Sequence, residues 1–231
     1  MHHRRLIPVV FVIAASFAVL TSIASLRAQE ETVDVTEFGT GFLVTLGGKL
    51  YDNLWVVIDV EPPEQRNPMF PKGIDVAKGT TWRCVSCHGW DYLGGSGERS
   101  TVGQHAAFRS LRRLAGTDPE LIVKKIRTAH RDYPASAFPE FIAELLALFI
   151  SAGQYDRNQL LNDLGRADGD LNRGRDIFEG ACMNCHEPDG RAKLTGEPGD
   201  RSSLGWIARN RVEQVLHKTR NGVPGAEMLA V

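Results

Sequence analysis

Two stretches decide the fold of this chain: Cys84-Val-Ser-Cys87-His88 and Cys182-Met-Asn-Cys185-His186. Each reads C-x-x-C-H, the pattern of covalent haem c attachment. Two thiols three positions apart can reach the two vinyl groups of one porphyrin and close thioethers with it. The histidine that follows then stands under the iron as proximal ligand. The chain contains four cysteines, and these two motifs use all of them. The spacing therefore predicts two haem c groups and their iron, held by Cys84 and Cys87 with His88, and by Cys182 and Cys185 with His186.

The distal ligands follow from counting. Met228 lies 42 residues after His186, just beyond Pro224-Gly225, which shapes a loop ahead of it. A thioether sulfur is a soft, neutral ligand that favours reduced iron. No methionine stands at the matching place after His88, but His130 does, again 42 residues on. The residues before it, Lys125-Ile126-Arg127-Thr128, echo Lys218-Thr219-Arg220-Asn221. His130 is the first choice for the first iron; His105 comes second, and Met69 or an open position after that. His217 falls mid-helix and is expected at the surface or beside a propionate, not on iron.

The 231 residues are 42% hydrophobic and 24% charged, ordinary for a globular protein. A formal charge of −1 gives no case for nucleic acid as a partner. The N-terminus reads as a secretory signal peptide over 1–28: His2-His3-Arg4-Arg5, an uncharged apolar run from Leu6 to Leu26, then Arg27-Ala28. The rival is an uncleaved anchor, the one route to a membrane association, since about 20 apolar residues can span a bilayer. Cleavage removes three arginines and no acid, taking the formal charge from −1 to −4. Export places the chain in the periplasm, an oxidising compartment where thiols not consumed by haem would pair.

Residues 29–78 read as an acidic extension with a short helix around Tyr51 and Trp55, stopped by Glu61-Pro62-Pro63. Its acids suit either a cover over one haem face or a docking surface for a basic partner. A first haem unit spans 79–155. Trp82, Trp90 and Tyr92 are expected at the porphyrin edge. A helix opens at Asp118-Pro119, with Thr117 or Asp118 as N-cap. A second helix runs from Pro139 to Ser151, with Phe141, Leu145, Leu148 and Phe149 on one side and Gly153 as its stop. Basic residues crowd 109–131, as a solvated face, as partners of propionates or as an anion patch. A polar linker over 156–172 precedes a second unit over 173–231, where helices are expected at 174–180 and at 206–219.

These residues resemble bacterial exported two-domain dihaem c-type cytochromes over about 47–231. The likeness is carried by Trp82-Arg83-Cys84-x-x-Cys87-His88-Gly89-Trp90-Asp91-Tyr92 and by Leu216-His217-Lys218-x-Arg220-Asn221-Gly222-x-Pro224-Gly225-x-x-Met228. The resemblance implies an all-α fold of two tandem class I cytochrome c-like haem domains, each with terminal helices that cross. The chain ends at Val231, so the second domain is expected to lack its C-terminal helix and to expose the apolar side of the 174–180 helix.

The implied function is periplasmic electron transfer between redox partner proteins, the first haem His/His and the second His/Met. Alternatives are a dihaem oxidoreductase acting on peroxide or a small sulfur anion, which needs an open first iron, and a cytochrome subunit of a dehydrogenase complex. A zinc or thiol–disulfide reading of the C-x-x-C pairs fits worse, because 94 residues separate Cys87 from Cys182 and each pair carries its histidine.

Overall fold

Gly47-Gly48 sets how the helices meet. Both lie in α1 (Thr40–Val57), which is longer and more central than the short helix expected from the sequence. A Cβ on Gly47 would collide with the Leu145 carbonyl, and one on Gly48 with the Asn221 side chain. The missing side chains thus let two other helices approach the α1 backbone on neighbouring faces. Leu50, Tyr51, Leu54 and Trp55 follow on α1 and are all buried. The stretch read as an extension therefore supplies a main part of the core. Its Asp52 is no solvated acid either: it is 1% exposed.

The computed structural model describes residues 39–97, 108–192 and 199–231. The N-terminal apolar run, the acids at 30–37 and His105 lie outside the described residues. Among the described residues the chain is helical, with no strand beyond the isolated bridge Leu161–Ala167, so the all-α class stands. No helix among them is long and apolar enough to cross a membrane.

The first motif forms a single turn, α2 (Cys84–His88). Then come α3 (Pro119–Ala129) and α4 (Glu140–Leu148), which continues through a wide turn, Phe149–Gly153. Asp118 caps α3, its side chain accepting from the Glu120 amide, and Pro119 occupies N1 where no amide bond is lost. The buried side of α4 is Ile142, Ala143, Leu145 and Leu146, leading to Phe149. Phe141, expected on that side, is instead 51% exposed, because the helix turns Ile142 toward α1 and α3.

In the second half, α5 (Leu171–Ile177) widens through Phe178–Cys182 into α6 (Met183–His186). The helix expected over 206–219 is two helices, α7 (Leu204–Asn210) and α8 (Val212–Asn221), broken at Arg211 (φ −139°, ψ 51°). Helix α8 packs on α1.

That packing gives His217 a place the sequence did not foretell. It is 0% exposed, against the surface position expected of it. Its Nε2–H donates to the Gly48 carbonyl (2.9 Å), and its Nδ1 accepts from the Tyr92 hydroxyl (3.0 Å). A carbonyl can only accept, so the proton sits on Nε2. Burial holds the ring's pKa down to about 4, so it is neutral near pH 7. Beside it, buried Asp52 bridges Arg83 and Lys218 (2.8 Å), and the Lys218 ammonium lies 5.3 Å from the Trp90 ring centroid.

Candidate functional site

Helix α2 is held from both sides. Val85 is 2% exposed and Ser86 donates to the Thr80 carbonyl (2.7 Å). The Tyr51 hydroxyl donates to the carbonyl of Gly89 (2.6 Å), the residue that follows the motif. Gly89 takes φ 75°, ψ 167°, open to glycine and strained for a residue with a Cβ. The chain thus turns away directly after His88 and leaves the imidazole on the wall of a cavity.

The cavity measures about 850 Å³, within the usual 300–1,000 Å³ of cofactor sites. Its wall is largely apolar, built from Leu111, Leu114, Ile122, Ile126, Phe138 and Leu146. Cys84 and His88 line one part of it and His130 another. Arg109, Arg113, Lys124 and Lys125 are exposed cations along its border.

The two imidazoles have matching surroundings. The His88 Nδ1 lies 3.3 Å from the Arg109 carbonyl, and the His130 Nδ1 lies 3.0 Å from the Ile126 carbonyl. Each Nδ1 must donate, which leaves Nε2 as the bare lone pair on both rings. The centroids are 6.2 Å apart, with planes 52° to one another. Imidazole nitrogen binds first-row metals at about 2.0–2.1 Å, and adding roughly 1.1 Å from nitrogen to centroid puts two trans ligands about 6.3 Å apart. The observed separation is of that size.

Burial pushes the His88 pKa down to about 4, reinforced by the neighbouring His130, while the Arg109 bond opposes the shift. Burial likewise lowers His130. Both rings are therefore neutral near pH 7, the form that can ligate. Burial pushes the Cys84 thiol up to about 12, so it stands as a neutral thiol rather than a thiolate metal ligand.

These features fit haem c. The thiol on the wall, two neutral imidazoles 6.2 Å apart, an apolar lining and cations for two propionates are what that group requires. Cys87, one turn from Cys84, is half-buried. Among the described residues no three His, Cys, Asp or Glu side chains gather to hold a bare ion, and the two cysteine pairs do not combine as a zinc site would need.

Several expectations are corrected. Trp82 and Tyr92 are 1% and 0% exposed and sit in the core, not on the cavity wall. Trp90 packs on His217, ring centroids 5.0 Å apart. Met69 is 48% exposed and takes no part in the cavity lining. The basic stretch divides: Arg112 turns inward to the carbonyls of Asp91 and Tyr155, and Arg127 pairs with Glu140.

The second motif repeats the local design with less around it. Glu187 follows His186 at φ 61°, ψ 160°, close to the conformation of Gly89. No residue from 171 to 187 is buried. The His186 Nδ1 is itself shielded and has no hydrogen-bond partner. Met228 is half-buried, and its carbonyl accepts from the Val223 amide (3.2 Å). That bond holds Met228 in the turn after α8.

Comparison of the chain with protein-family models, with characterised proteins and with solved structures found no match.

Proposed function

We propose that this chain is an exported dihaem cytochrome that transfers electrons between redox proteins in the periplasm. One observation carries the reading. His88 and His130 each give their Nδ1 proton to a backbone carbonyl and stand 6.2 Å apart on an apolar cavity wall. Metal-binding histidines are commonly oriented in this way, by a second bond on the other nitrogen.

In this reading Cys84 and Cys87 anchor the first group, and His88 and His130 hold its iron. Haem bound there supplies a one-electron ferric–ferrous couple. The apolar wall excludes water, and Arg109, Arg113, Lys124 and Lys125 balance the propionate charge. With both His88 and His130 engaged, the iron would have no position left for a substrate, which suits a carrier better than an enzyme. Cys182, Cys185 and His186 would hold the second group, with Met228 as the candidate for its distal ligand. A thioether ligand there would raise the potential of the second site above that of a bis-histidine first site, which would favour electron flow from the first to the second.

The test is a haem count on chain expressed with export and haem-attachment machinery. Two haems per chain by pyridine haemochrome, retained after acid–acetone extraction, are expected, and one in Cys84→Ala/Cys87→Ala. A chain that exports and folds without covalent haem would overturn the proposal.

A further inference from the structure

Tyr92 is a residue that the haem cavity does not use, yet it is held from every side. It is 0% exposed and takes φ 62°, a strained value for a residue with a side chain. Its hydroxyl donates to the His217 Nδ1 (3.0 Å), and the opposite edge of His217 is fixed to the Gly48 carbonyl (2.9 Å). Its carbonyl accepts from the Leu111 amide (2.8 Å) and from the Ser110 hydroxyl (3.4 Å). The residue just before these two is Arg109, whose carbonyl faces the His88 Nδ1 at 3.3 Å. The same segment is tied again by Gly95 N to the Phe108 carbonyl (3.0 Å) and by Arg112 Nε to that of Asp91 (3.1 Å).

We infer that His217 is a positioning residue for the first axial histidine, acting through Tyr92 on the backbone carbonyl that orients His88. The inference rests on the proposed haem site. A histidine on α8, the helix that leads to the Met228 loop, thereby governs the strength of a hydrogen bond at the other motif. That bond controls how much electron density the imidazole gives the iron, and so the potential of the couple. Movement of α8 on α1 would be felt at His88, which links the two motifs through packed side chains.

Tyr92→Phe deletes one oxygen and keeps the ring contacts with Tyr51, Phe149 and Tyr155. His217→Phe deletes both bonds of the imidazole. Each is expected to shift the first haem's low-spin EPR g values and to raise its reduction potential, with the second haem's signals unchanged. The double variant should shift no further than the larger single, since both cut one chain of bonds. His217→Gln should restore wild-type values, because its amide can donate to Gly48 and accept from Tyr92.

Variants that melt earlier but keep the first haem's g values and potential would overturn the inference and leave His217 a packing residue. If His217→Phe does not fold, Tyr92→Phe decides alone. A haem count on the same samples separates the two claims: a wild type without covalent haem at Cys84 and Cys87 refutes the haem site, whereas haem there with unmoved signals refutes only the role of His217.

Discussion

The two C-x-x-C-H segments begin alike and end differently. Both form a turn of helix, and both are followed by a residue at positive φ, Gly89 at 75° and Glu187 at 61°. Around the first, Tyr51 bonds the turn, α3 and α4 enclose a cavity, and His88 has its Nδ1 on a carbonyl. Around the second, residues 171–187 are never buried, Leu171 and Ile177 are 85% and 41% exposed, and the His186 Nδ1 has no partner. The local conformation therefore belongs to the pentapeptide, whereas the ligand's orientation depends on what packs against it. In the proposed reading, where little packs, a bound group would have to supply most of the core, since a small unit buries little apolar surface of its own.

Core truncations test this difference most strongly. Trp82→Ala, next to the first motif and 1% exposed, should lower stability by about 3–5 kcal/mol. Leu171→Ala, beside the second and 85% exposed, should change it by no more than about 0.5 kcal/mol. Chemical denaturation of both variants checks the contrast, and equal losses would break it.

A pH series sharpens it at the seam. Burial holds His217 at about 4 in the fold, below the ordinary value near 6.5. The unfolded chain therefore takes up the proton first as pH falls. The stability that neutral His217 contributes is complete above about pH 6.5, declines toward pH 4 and is level below that, a loss of about 3 kcal/mol over the window. Unfolding free energies measured across this range should fall less steeply in His217→Phe than in the wild type.

The smallest effect expected is a gain. Gly174 lies inside α5 with nothing near its would-be Cβ, so Gly174→Ala should stabilise the second segment by about 0.5–1 kcal/mol. Gly47→Ala meets the Leu145 carbonyl and should destabilise by about 1–3 kcal/mol. Thermal melts of the pair give opposite signs if the two glycines play the roles assigned to them.

Legibility in the sequence followed the range of the interactions. The all-α class, the Asp118 cap and the end of the wide turn at Gly153 are written in neighbouring residues. So is the count of 42 that singles out His130, the histidine the fold brings to 6.2 Å from His88. Gly47-Gly48 carries no local sign that two helices will cross there. His217 sits in a polar stretch, and only the approach of α8 to α1 buries it. Phe141 and Ile142 are adjacent and both apolar, so periodicity alone did not decide which would face inward. The break at Arg211 depends on backbone angles that no proline or glycine announces.

The most direct measurement is low-temperature EPR of the oxidised protein, wild type against His130→Ala, with two covalent haems confirmed in each. The wild type should show two low-spin ferric signals. In the variant the first should become high-spin and the second should stay as it was. Two unchanged low-spin signals in His130→Ala would contradict the assignment of His130 to the first iron.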